Sequence, residues 1–220
     1  MTAVVVGGAN MDVIAASAGP LQHGVSNPGR VRISAGGAGR NLAENLARLG
    51  VPTRLIAAVD AHPMSDLTIA QAAGAGVEVS GVIRVSGRGN YYAAIQSAGV
   101  VEWAVSDMSA AESLTLDNLD VHASAIRAAD AVIVDANLAP ATIQRAAELA
   151  GGRRLCLLPV SSAKAPRIRA VLPNASLIVL STGEAEVLTG GRIDAPKDAL
   201  RVAKTMQPSP ASTVIITMGD

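Results

Sequence analysis

Apolar and polar positions alternate along this chain in blocks. Short apolar runs at 4–7, 55–59, 131–135, 154–158, 177–180 and 214–217 read as buried strands. Between them lie stretches with helical period. In 41–49, Leu42, Leu46 and Leu49 share one face and Gly50 stands in the stop position; 65–73, 141–150 (closed by Gly151-Gly152), 184–189 and 195–206 follow. Strands that alternate with helices predict right-handed crossovers and a parallel sheet with helices on both faces. The expected fold class is α/β, an open Rossmann-type sheet.

Two stretches break the alternation. Residues 11–34 carry Gly19-Pro20 and Asn27-Pro28-Gly29 and show little helical period. Residues 77–106 are strand-rich, with 92–97 and 100–105 flanking Ala98-Gly99 as a hairpin. Together they predict a small β-lid, drawn from about 13–34 and 82–106, over one edge of a single domain spanning 1–220. No internal repeat, low-complexity tract or long linker interrupts the chain.

Composition narrows the kind of core. Half of the residues are hydrophobic, yet there is no Phe, a single Trp (Trp103) and only two Tyr. Such a core is layered from Ala, Val, Ile and Leu, as buried parallel strands under Ala-rich helices require. The formal net charge is +0 and no Lys/Arg run occurs, so neither nucleic acid nor an anionic membrane is an expected partner. Cys156 lies in an apolar run and reads as a buried, inert thiol; one cysteine excludes an intrachain disulfide framework. The first residues lack the basic segment of a signal peptide, and no apolar run approaches the ~18 residues of a membrane span. The expectation is a soluble, cytoplasmic protein. His23, His62 and His122 are scattered without ligand spacing.

The candidate chemistry is concentrated in two segments. In Ser34-Ala35-Gly36-Gly37-Ala38-Gly39-Arg40-Asn41, glycines enter a helix N-terminus, where unpaired N–H groups and the dipole favour polar or anionic ligand atoms. A dinucleotide-binding loop fails on spacing: Leu42 stands where its third glycine belongs, and no acidic residue closes a second strand ~20 residues on. Taken alone, such a turn is as readily structural as functional. In Gly7-Gly8-Ala9-Asn10-Met11-Asp12, Asn10 and Asp12 follow the first strand, where open α/β sheets bind ligands. They serve there either as turn formers or as ligands for sugar hydroxyls.

Together these segments resemble the PfkB (ribokinase-like) family of carbohydrate and nucleoside kinases. Its first signature, a glycine cluster followed by Asn and a helix ending in Leu-Gly, is met by Gly36 through Gly50, and its sugar-holding Asn-x-Asp by Asn10 and Asp12. Within the family, Ser26-Asn27-Pro28-Gly29, the block from Gly39-Arg40-Asn41 to Asn45-Leu46-Ala47, Ser106-Asp107-Met108, Asp135-Ala136-Asn137, and Pro159-Val160-Ser161 with Lys164 look most like pseudouridine kinases. The resemblance implies a ribokinase-like fold and transfer of the ATP γ-phosphoryl group, with Mg, to a hydroxymethyl of pseudouridine or a related ribosyl compound. It implies substrate-binding residues Asn10, Asp12, Gly36, Gly37, Asn41 and Asn137, and nucleotide-binding residues Glu184, Thr217 and Gly219, with Glu184 also acting indirectly on Mg. It further implies a homodimer through the lids, with residues 91–105 and Trp103 covered by a partner or by the pocket. Trp103 is expected to pack in the lid or to stack on a base.

Departures from the family pattern are specific. Val59-Asp60-Ala61-His62 replaces the usual Gly-x-Asp, Ser181-Thr182-Gly183-Glu184 keeps only the Glu of Asn-x-x-Glu, and Leu158 stands at an acidic position. The second signature, Gly-Ala-Gly-Asp, which carries the anion hole and the catalytic base, does not occur, so no catalytic residue is assigned in this chain. Met218-Gly219-Asp220 resembles it only superficially, because it follows the strand that precedes the nucleotide loop. A C-terminally incomplete domain is therefore expected. Three readings stay open: part of an active kinase, a catalytically inactive sugar- or nucleoside-binding protein, or a decayed product without a defined role.

Overall fold

The computed structural model describes residues 1–219; Asp220, the end of the Met218-Gly219-Asp220 segment, lies outside the described residues. The first part of the chain runs β1 (Ala3–Val6), β2 (Asn10–Ser17), β3 (Gly29–Gly36), α1 (Ala38–Arg48), β4 (Thr53–Asp60), α2 (Met64–Gly74) and β5 (Glu78–Val85). The hairpin β6 (Tyr91–Ser97) and β7 (Val100–Asp107) follows, then three short helices, α3 (Ser109–Glu112), α4 (Leu116–Asp120) and α5 (Ala123–Ala128). The rest is β8 (Ala131–Asp135), α6 (Pro140–Ala150), β9 (Arg154–Leu158), a 3-10 helix (Ala165–Asn174), β10 (Leu177–Ser181), α7 (Thr182–Thr189), α8 (Pro196–Met206) and β11 (Thr213–Thr217).

Seven strands form one sheet in the order β11-β10-β9-β8-β1-β4-β5, and every pair is parallel. Side chains alternate across it. Val4, Val6, Val132, Val134 and Leu157 enter a core completed by Leu119, Ile126, Ile143, Ile168 and Leu188 from the later helices. Ala3, Val5, Leu55, Ala57 and Ile133 enter the opposite core, with Ala43 of α1 and Ala72 of α2. Because both faces of the central strands are covered, those strands read as continuous apolar runs. Helix ends follow local rules. α6 opens on Pro140 and closes on left-handed Gly151, and α7 opens on a capping box between Ser181 and Glu184.

The topology fixes where a ligand can sit. The chain starts at β1, grows through β4 and β5 to one side, and then returns to build β8 to β11 on the other. The direction of growth reverses between β1 and β8. At such a reversal the loops leave the two strands in opposite directions and open a crevice at their C-terminal ends.

The lid is a separate sheet, β3-β2-β6-β7, in which β2 and β6 are parallel and both outer pairs antiparallel. Its register puts Ile33, Val13, Ala93 and Val105 in one row and Val31, Ala15, Ile95 and Trp103 in the next, all on one face. Ser34, Asp12, Tyr92 and Ser106 form a row on the other face.

One expectation is corrected. Residues 82–85 are not lid: β5 pairs with β4 at the edge of the main sheet. Its half-exposed, mixed pattern is that of an edge strand, which from sequence is indistinguishable from a lid strand. The short helices of 109–128 carry no sequence signal, because segments of one or two turns show no period. The 3-10 helix carries Pro166 and Pro173, which obscure a helical reading.

Candidate functional site

A cavity of about 480 Å³ opens at the β1/β8 reversal. Asn10, Asp12, Gly37 and Asn137, all expected at a site, line it together with Tyr92, Ser106, Met108, Val160, Ser161 and Lys164. The lid contributes Asp12, Tyr92 and Ser106 from its inner row, and the loops after β8 and β9 contribute the rest of the far wall.

Asp135 organises this geometry. Its carboxylate is fully buried and accepts N–H bonds from Gly8 (2.8 Å), Gly39 (2.9 Å) and Asn137 (2.9 Å). The loop after β1, the first turn of α1 and the loop after β8 therefore meet on one side chain. Burial pushes the Asp135 pKa up, opposed by those N–H donors. A Cβ on Gly7 or Gly39 would press on the same carboxylate. Gly37, at φ 101°, makes the turn into α1 in a conformation open mainly to glycine.

Within the cavity, the Asn10 amide donates to Asp12 Oδ1 at 2.7 Å, which orients the carboxylate. A Cβ on Gly36 would occupy the space of that carboxylate, so Gly36 supports Asp12 rather than lining the cavity. Asn41 is exposed and does not line it either: its Oδ1 accepts from Arg40, a buried side chain held by the Gly36 and Ala35 carbonyls (2.8 and 2.9 Å) and by Glu44. The far wall is set by the loop after β9. Ser161 N–H bonds to the Pro159 carbonyl at 2.9 Å across Val160 at φ 66°, a γ-turn with a β-branched residue in left-handed space. Lys164 follows it, and its Nζ donates to Asn137 Oδ1 at 2.6 Å. The fragments containing Val160, Ser161 and Lys164 were visible in the sequence only through family likeness; no spacing pointed to their role.

The other expected residues lie elsewhere. Glu184 is buried, and its carboxylate accepts the Ser181 N–H at 2.7 Å while Ser181 Oγ accepts the Glu184 N–H, so both side chains cap α7. Thr217, beside Ser181 in the sheet register, donates to the Leu180 carbonyl at 3.2 Å; Gly219 is exposed at φ 72°. These three sit by the ends of β10 and β11, away from the cavity lining. Trp103 is 72% exposed on the outer lid face, beside Ile95 in the register, so it belongs to the lid surface and does not line the cavity. Among the described residues no three of His, Cys, Asp and Glu are placed to hold a metal ion, and no helix is long and apolar enough to cross a membrane.

The family described as pfkB family carbohydrate kinase matches residues 2–220. The chain belongs to that family. It is 28% identical over 218 residues to pseudouridine kinase of Escherichia coli (strain K12), covering 98% of this chain and 70% of that protein. It is 29% identical over 220 residues to guanosine-inosine kinase of Exiguobacterium acetylicum, covering 98% of this chain and 73% of that protein. Among solved structures, a carbohydrate kinase from Agrobacterium tumefaciens superposes with a TM-score of 0.81 at 29% identity, covering 100% of this chain and 71% of that one. The seven-stranded sheet with its lid is the ribokinase-like arrangement of this PfkB chain.

Proposed function

We propose that the cavity binds a ribosyl compound, with pseudouridine the leading candidate, and presents its hydroxymethyl oxygen to the γ-phosphoryl group of ATP. The observation that carries this reading is the convergence of Asn10, Asp12, Gly37 and Asn137 on one cavity beneath the lid. Asp12 is acceptor-only when ionised and has Oδ2 left for substrate hydroxyls, while the lid row screens the site from water. Thr217, Gly219 and the Ser181–Glu184 turn, at neighbouring strand ends, are the proposed start of the nucleotide surface. Mg²⁺ enters in this reading on the nucleotide phosphates, since Glu184 is committed to its cap and offers no cage of its own. A kinase drawing on ATP fits the cytoplasm. The outer lid rows fit a second copy of this chain, giving a lid-to-lid homodimer.

One observation favours a second reading, a binding protein without transfer: the Asn of the family's Asn-x-x-Glu is Ser181, whose hydroxyl is occupied in capping α7. Calorimetric titration with pseudouridine, ribose and adenosine, beside a coupled assay of ADP release, separates the two. Binding without ADP release supports the second reading, and binding with release the first. Asp12→Ala is expected to weaken binding roughly 10- to 100-fold, the worth of hydrogen bonds to a charged group. Equal binding by Asp12→Ala would remove this cavity as the sugar site.

A further inference from the structure

Resting on that sugar-binding reading, we infer that Lys164, with Asn137, reads the part of the substrate beyond the ribose and selects carbonyl acceptors, as a pyrimidinedione base presents.

The polar groups of the cavity are of two kinds. Asp12 offers acceptors. The Asn137–Lys164 pair offers donors, because Asn137 Oδ1 is already taken by the Lys164 ammonium at 2.6 Å. What the pair turns toward a ligand is the remaining ammonium protons, since Asn137 Nδ2 lies against Gly8 and faces the Asp135 carboxylate. Asn137 is only 5% exposed and so holds the ammonium in one place. Lys164 is half-buried and, among the described residues, forms no ion pair, whereas neighbouring Arg167 is paired with Glu112 at 2.6 Å. A part-buried cation with one neutral acceptor is short of partners. Ligand carbonyls supply them with two lone pairs each; adenine offers only single-lone-pair ring nitrogens, with its exocyclic amine donor beside N1 and N7.

The backbone holds the lysine there at a cost. The γ-turn at Val160 sets the Ser161 carbonyl, which accepts the Lys164 N–H at 3.0 Å and the Ala165 N–H at 2.9 Å. A β-branched residue in that conformation is strained, and such strain is retained where a loop must hold one shape. Arg167 fixes the opposite partner, donating to the Ala136 and Leu138 carbonyls on either side of Asn137 (3.3 and 3.2 Å). Donor pair and cavity are thus set by two separate braces.

The charge also gives a pH signature. Burial lowers the Lys164 pKa, and Arg167 lowers it further, opposed by Asp135 and Glu112. The ammonium is lost at lower pH than in an exposed lysine, so selectivity for carbonyl-bearing ligands falls as pH rises through that lowered value. Arginine keeps its charge throughout this range.

The test is calorimetric titration of the chain with ribose, uridine, pseudouridine and adenosine. The expected result is tighter binding of uridine and pseudouridine than of ribose or adenosine. Lys164→Met should reduce the pseudouridine-to-ribose affinity ratio on the order of 10-fold or more, as for a hydrogen bond to a charged group. Lys164→Arg should retain the preference and hold it to higher pH than wild type does; the ligand's own ionisation is common to both proteins. A ratio unchanged in a folded Lys164→Met protein, or a pH profile shared by wild type and Lys164→Arg, would overturn the inference while leaving the sugar reading intact. Failure of ribose to bind wild type would instead remove the sugar reading, and this inference with it.

Discussion

Val134 in β8 and Val105 in β7 are the same residue in strands of the same protein, with opposite surroundings. Val134 is 0% exposed between two helical layers, whereas Val105 is 71% exposed on the outer lid face beside Trp103. Main sheet and lid draw on the same aliphatic residues, so composition does not separate them. Topology does: a strand in the middle of a parallel sheet is covered on both faces by its own crossovers, and a lid hairpin is covered only by what it meets. The lid's inner row meets the cavity; its outer rows hold the exposed Val31, Ile33, Ile95, Trp103 and Val105, with only Leu21 and Asn27 of the loop after β2 beside Ala15, Val31 and Ile95. A contiguous apolar face of that kind is the mark of an interaction surface.

The largest effect should come from the buried side of this comparison. Asp135→Ala leaves the N–H groups of Gly8, Gly39 and Asn137 without their acceptor, at about 1–3 kcal/mol each, against a typical total stability of about 5–15 kcal/mol. The expected outcome is loss of cooperative unfolding in chemical denaturation; a midpoint near wild type would mean that the carboxylate is not the anchor. Val134→Ala should cost roughly 2 kcal/mol, the transfer of two methyl groups plus the cavity they leave. Ser181→Ala tests whether exposure alone decides: Ser181 is exposed, yet removing its cap should still cost about 1 kcal/mol. Val105→Asp should be smallest, within about 0.5 kcal/mol for the monomer. In analytical ultracentrifugation the same substitution should dissociate the lid-to-lid dimer proposed above. If Val105→Asp destabilises the isolated monomer as much as Val134→Ala does, the lid is part of the core and the comparison fails.

Legibility from the sequence followed the same division. Strands at 131–135 and 154–158 were placed to the residue, because a strand buried on both faces is a bare apolar run with polar ends. The second half of β5 reads from sequence as lid, since an edge strand of the main sheet and a lid strand share one pattern. At the site, the sequence marks Asn10 and Asp12 as following β1 and Gly37 as entering α1, whereas Asn137 is signalled only by family likeness; all four line the cavity. Asn41 was placed in the cavity by motif, and only its capture by buried Arg40 turns it away. Asp135 reads as the last residue of a strand; its role depends on Gly8 and Gly39, distant in the chain, arriving on one carboxylate.

That meeting has an evolutionary consequence. Gly7, Gly39 and Asp135 constrain one another: a side chain at either glycine collides with the carboxylate, and shortening the carboxylate to admit it strands the N–H groups that the carboxylate holds. No single substitution at these positions leads downhill, and the obvious compensating pairs pass through a poorly folded intermediate. The three should therefore behave as one heritable unit, with strong epistasis among them and little with the lid.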